Sequence, residues 1–166
     1  MNGKVLIAGV GNIFLGDDAF GVEVAQRMSN LPLREGVEVV DFGMRSYDLA
    51  YALMEDWDLV ILVDAVPRGG QPGTVYTIEP ELPDSGAPDA NPGFNAHTMN
   101  PVSVLQMVAA LGGKCAQLLL VGCEPHTVDT DEGGRIGLSA PVAAAVDEAI
   151  QVIQQLIAAS TRATAA

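Results

Sequence analysis

Carboxylates stand where apolar segments ought to end. The stretch Gly9-Val10-Gly11-Asn12-Ile13-Phe14-Leu15-Gly16-Asp17-Asp18 follows an apolar run, Asp41 closes a second, and Asp64 ends Leu59-Val60-Ile61-Leu62-Val63. A charge at the end of so apolar a segment is costly unless it meets a partner or a metal. At a helix entrance the dipole keeps a carboxylate ionised, so one of Asp17 and Asp18 can cap the following helix while the other projects as a hard oxygen ligand. His97, in Gly93-Phe94-Asn95-Ala96-His97-Thr98, is one of only 2 histidines. Two aspartates and a histidine with open positions suit a divalent transition metal. Plainer roles exist for each residue. Asp17 and Asp18 can both be N-terminal helix acids, Asp64 can accept N–H groups at the Val66-Pro67 turn, and His97 can be a surface-loop residue. His126, in Cys123-Glu124-Pro125-His126, is a rival ligand.

Other chemistries fit less well. Gly9-x-Gly11 after a strand, with Asp41 ending the next one, suggests a dinucleotide fold, but Phe14 takes the third glycine position. Asp17 and Asp18 would also repel a pyrophosphate from the helix entrance. Asp84-Ser85-Gly86 matches the aspartic-protease tripeptide without flanking strands. Asp129-Thr130-Asp131-Glu132-Gly133-Gly134 begins like a calcium loop but has Ala140 at the twelfth position. A serine in Gly-x-Ser-x-Gly is absent.

The elements that must position these residues follow from hydrophobic periodicity. Residues 4–10 read as a strand and 19–28 as a helix, then 37–42 as a strand, 47–54 as a helix and 59–66 as the most hydrophobic strand. Parallel neighbours need a crossover helix, and both gaps contain one. Pro67-Arg68-Gly69-Gly70-Gln71-Pro72-Gly73 then leads straight into residues 74–78, a short connection that predicts an antiparallel edge strand. Residues 79–100 carry Pro80, Pro83, Pro88 and Pro92, a loop too long for a compact domain without a functional reason. Asn100-Pro101 opens a helix that Gly112-Gly113 closes, residues 118–121 form the fifth strand, and Ser139 caps a final helix over 139–159. The expected architecture is one three-layer α/β/α domain over residues 1–159, around a mostly parallel twisted sheet of about five strands with one antiparallel edge. Residues 160–166 should be a frayed tail. In such sheets ligands bind outside the carboxyl ends of the strands, where connections diverge to opposite faces. The acids at the ends of three strands therefore belong to one edge.

Composition narrows the function further. The chain has 166 residues, 8 Lys+Arg against 21 Asp+Glu and a net charge of −13, so phosphate backbones and anionic lipid would bind against its own field. Nucleic acid and membrane partners are not expected, and no apolar run is expected to reach the ~18–20 residues of a membrane span. Lysine occurs only at positions 4 and 114, which disfavours Schiff-base chemistry. Cys115 and Cys123 form no CxxC and read as buried, reduced thiols of a cytoplasmic protein.

Gly9-Val10-Gly11-Asn12 with Gly16-Asp17-Asp18, Asp41-Phe42-Gly43, Val63-Asp64-Ala65, His97, Gly122-Cys123-Glu124-Pro125 and Gly137-Leu138-Ser139 resemble, in this order, the hydrogenase maturation endopeptidases. These enzymes trim the C-terminal tail from the large-subunit precursor of nickel–iron hydrogenases. The resemblance spans nearly the whole chain. It implies a metal-dependent endopeptidase whose Asp18, Asp64 and His97 engage nickel already inserted in the precursor, and a monomer is expected. No permanently held cofactor is implied, and another divalent metal could occupy the site in a purified sample. The loop over residues 79–100 would contribute to the precursor-binding surface. Gly43-Met44-Arg45-Ser46 replaces the glycine- and threonine-rich turn of many members, which bears on substrate choice. A metal-sensing protein that binds a precursor without cutting it, and a nucleotide-dependent α/β enzyme, are the alternatives.

Overall fold

The computed structural model describes residues 3–80, 101–114, 117–126 and 136–164. Five strands, β1 (Val5–Val10), β2 (Val37–Gly43), β3 (Leu59–Ala65), β4 (Val75–Ile78) and β5 (Gln117–Cys123), form one sheet in the order β2-β1-β3-β5-β4. β2, β1, β3 and β5 run parallel, and β4 alone is antiparallel. The expected α/β architecture with an antiparallel edge is observed. One pairing differs from a simple hairpin: β4 pairs with β5, not with β3, because β5 returns between them. β5, apolar over residues 118–121, gains burial in that interior slot, whereas β4, partly exposed, tolerates the edge.

Alternation along the strands divides the core in two. Val5, Ile7, Leu59, Ile61, Val63 and Val121 face helices α1 (Phe20–Ser29) and α4 (Ala140–Thr164), packing on Phe20, Val24, Met28, Val146 and Ile153. Leu6, Ala8, Val60, Leu62 and Leu120 face α2 (Ser46–Leu53) and α3 (Pro101–Ala110), against Leu49, Leu53, Val104 and Val108. Strands buried on both faces must be continuously apolar, which is why β1 and β3 show no polar alternation.

Two expectations about α4 need correction. The helix begins at Ala140 and continues to Thr164, through the stretch expected to fray. Ser160 and Thr161 donate their hydroxyls to the Ile157 carbonyl, and Arg34 Nη1 donates to Thr161 Oγ1, so the last turns are tied back onto the body. Residues 140–163 are also long and apolar enough to cross a membrane by length and composition, contrary to the expectation that no segment is. In the fold that apolarity is directional. Val142, Val146, Ala149 and Ile153 pack on the sheet while Gln151, Gln154 and Gln155 are exposed, as on an amphipathic surface helix. Gly112, at φ +76°, closes α3 as anticipated, and Asn100 lies outside the described residues.

Candidate active site

The chain enters a 3₁₀ turn at Gly16–Ala19 before α1, and this turn is pressed against the sheet by glycines. A Cβ on Gly11 would lie 1.9 Å from the Asp18 carbonyl oxygen, one on Gly9 2.3 Å from the Gly21 carbonyl oxygen, and one on Gly21 2.0 Å from that of Val63. No side chain fits at these places, so the backbone approaches β1 and β3 as closely as atoms allow. Pairing of β1 with β3 ends at Gly9 and Val63, while β3 continues to pair with β5 through Asp64 and Ala65. Asp64 therefore lies one residue beyond the last β1–β3 pair, and the turn bearing Asp18 packs beside β3 there. The β1 connection passes over the α1/α4 face and the chain leaving β3 returns through α3 on the other face, making this the divergence point where α/β sheets bind ligands.

Asp64 is buried, at 7% exposure, and its Oδ1 accepts the Ala65 N–H at 2.8 Å. Burial, reinforced by the Asp18 charge, pushes its pKa well above 3.8; the Ala65 hydrogen bond opposes this. Asp18 is half-buried and is also raised by burial, against the Asn12 N–H that meets its Oδ2 at 2.9 Å. Among the described residues no lysine or arginine pairs with either carboxylate. Two oxygen donors that repel each other and have no cation suit a divalent ion. Among the described residues no third ligand completes the set, and His97, with the rest of residues 81–100, lies outside them.

The neighbouring acids do different work. Asp17, expected as a possible cap for the helix after β1, makes no side-chain cap there. It is 1% exposed and accepts the His126 N–H at 2.8 Å, the Ser139 N–H at 2.7 Å and the Ser139 hydroxyl at 2.8 Å. Asp41 stands at the end of β2, but its Oδ1 accepts the Gly43 N–H at 2.9 Å and shapes the turn that follows. The His126 backbone is thus anchored by Asp17, and its side chain is exposed.

Glu124 was not singled out from the sequence. Its buried carboxylate accepts the Arg68 N–H at 2.8 Å, the Gly69 N–H at 3.1 Å and the Tyr76 hydroxyl at 3.0 Å, fastening the loop that leaves β3. Burial opposes ionisation, but these hydrogen bonds and one from Gly70 outweigh it and lower the pKa below 4.5. An acid immediately after β5 was the available signal. The Glu124 contribution is present above pH 4.5 and lost as pH falls through the lower folded value. Glu124→Gln should therefore lower the thermal midpoint at neutral pH, with parent and variant converging in acid. A constant gap would mean that the charge is not what matters. Cys123 is fully buried, and burial, then the Asp17 charge, pushes its thiol up to about 12. It matches the expected inert thiol, and Cys115 lies outside the described residues.

A groove of about 440 Å³ opens beside the site, where Ile13, Phe14 and Met44 are exposed over Phe42 and Asp41, with Arg45 at its edge. Asn12 lines it and its N–H meets Asp18, so the groove borders the turn that carries Asp18.

A family model described as hydrogenase maturation protease matches residues 22–156. A putative hydrogenase maturation protease from Methanocaldococcus jannaschii is 35% identical over 151 residues, covering 90% of this chain and 93% of that protein. The coenzyme F420 hydrogenase subunit delta of Methanothermobacter thermautotrophicus is 30% identical, with 95% and 96% coverage. Among solved structures, the hydrogenase maturating endopeptidase of Escherichia coli superposes with a TM-score of 0.75 at 28% identity, covering 95% of this chain and 93% of that one.

Proposed function

The chain belongs to the hydrogenase maturation protease family, and on that premise we propose that it is an endopeptidase that removes the C-terminal extension of a nickel–iron hydrogenase large-subunit precursor. The observation that carries this reading is the pair formed by half-buried Asp18 and buried Asp64, mutually repelling and without a cationic partner among the described residues, at the divergence point of the sheet. Nickel is part of the substrate in this scheme. It arrives in the precursor, and Asp18, Asp64 and His97 engage it there. A divalent ion so placed supplies Lewis-acid polarisation of a peptide carbonyl or of a water. The chain supplies oxygen ligands, and whichever carboxylate is not ligating has the raised proton affinity of a general base. A precursor without nickel would lack the group that completes the site.

The test is incubation with nickel-loaded and nickel-free precursor, read by mass spectrometry. Loss of a C-terminal fragment from the loaded form alone is expected, and an intact loaded precursor would overturn the reading. That outcome would favour a second one, a hydrogenase-binding chain that does not cut, which has some support in a relative named as a hydrogenase subunit.

The groove is where the precursor's polypeptide would lie on its way to the carboxylates. Phe14 is 60% exposed, so Phe14→Ser removes apolar contact with the substrate while touching little of the core. Loss of a buried aromatic contact, ~1.5–3 kcal/mol, corresponds to a KM raised by at least about tenfold. The thermal midpoint should hardly move. An unchanged KM would place the peptide elsewhere.

A further inference from the structure

We propose that Asp17 is a positioning residue for this site: its carboxylate ties the chain after β5 and the entrance of α4 to the turn that carries Asp18, and so fixes where Asp18 stands. The inference rests on the functional reading above for its catalytic consequence, but not for its geometry. Asp17 is 1% exposed, and both its oxygens are engaged. His126 and Ser139, its donors, lie 109 and 122 residues away in sequence. Two of these donors are backbone N–H groups and one is a hydroxyl. A side chain committed to joining remote segments is held in one rotamer, and its own backbone is fixed with it.

Its neighbour inherits that rigidity. In a 3₁₀ turn, with three residues per turn, consecutive side chains diverge by about a third of a revolution. Asp17 can therefore face β5 and α4 while Asp18 faces the end of β3. Asp18 is then restrained on three sides: its carbonyl abuts Gly11, its Oδ2 meets the Asn12 N–H, and the preceding residue is clamped.

Asp17→Asn keeps the size of the side chain but turns one acceptor oxygen into an amide NH2 that donates and cannot accept. Two measurements on the full chain test it. In amide hydrogen exchange, the Asn12 N–H should lose protection by at least about tenfold while the Ile7 and Ile61 amides in the core keep theirs. In cleavage of the nickel-loaded precursor, kcat should fall by the ~10–100-fold usual when a group behind a metal ligand is lost, with KM nearly unchanged. Retained Asn12 protection would overturn the proposal whatever the activity, and a lowered thermal midpoint with kcat intact would reduce Asp17 to a structural clamp. If the parent protein does not cut the precursor, the functional reading fails, and the Asn12 amide still decides the role of Asp17. If Asp17→Asn does not fold, Ser139→Ala removes one of the three hydrogen bonds and should shift both readouts in the same direction by a smaller factor. No shift in either would overturn the proposal.

Discussion

Asp64→Asn should yield a folded protein that no longer shortens the nickel-loaded precursor. Asparagine keeps the shape of the side chain and an oxygen to accept the Ala65 N–H, so the local turn survives. What disappears is the charge a divalent ion requires of its ligand. Stability should move the other way. The native Asp64 pKa lies well above 3.8, raised by burial and then by the Asp18 charge. A raised folded pKa means that the carboxyl favours the native state fully below pH 3.8 and loses that contribution as pH climbs through the folded value. At neutral pH the ionised group is a liability, and the variant should equal or exceed the parent, by something within the ~1–3 kcal/mol of an uncompensated buried polar group. Denaturation across pH should show the advantage growing from acid towards neutral. Cleavage at the parental rate would remove Asp64 from the site, and unfolding would make it a turn-capping residue.

How much of this was legible depended on whether the signal was local. β1 and β3 announce themselves because burial on both faces demands unbroken apolar runs, and the acid ending β3 stands out for the same reason. The parallel arrangement of β1, β2 and β3 follows from their crossover helices. That β5 slips between β3 and β4 does not, since strand pairing is a contact between segments remote in sequence. The same limit separates Asp17 from Asp18. Adjacent and chemically identical, they differ only in what lies opposite, and the partners of Asp17 are more than a hundred residues downstream. The resemblance implies Asp18 as the ligand, and the observed turn gives Asp17 other work. Glu124 belongs to a motif that carries the resemblance, but its role is not legible there because its donors, apart from the Tyr76 hydroxyl, are backbone amides of a loop, which no residue type advertises. The boundary at residue 159 failed because small and polar residues suggested fraying, whereas hydroxyls bonding back to Ile157 let α4 continue.

The glycines link this fold to its chemistry, and Gly21→Ala tests the link most severely. By helix propensity alone, alanine in place of glycine within a helix should stabilise by up to ~1 kcal/mol. The structure reverses that sign. A Cβ on Gly21 would sit 2.0 Å from the Val63 carbonyl oxygen and 2.4 Å from that of Val10, both backbone atoms of paired strands that cannot turn aside. α1 must then lift from the sheet, which costs at least the ~1–3 kcal/mol of an overpacked core. For a chain of this size that is a fall in thermal midpoint of about 2–4 °C per kcal/mol. The turn holding Asp18 is joined directly to α1 and would move with it, away from Asp64 on the fixed strand. A displacement of ~1 Å at a reacting centre can cost about a hundredfold in rate. Cleavage measured well below the variant's own midpoint should therefore fall by a similar factor, although Gly21 has no side chain to offer the substrate. A variant more stable than the parent, following propensity, would show that α1 does not press on the sheet and that the spacing of the two aspartates is set by something else.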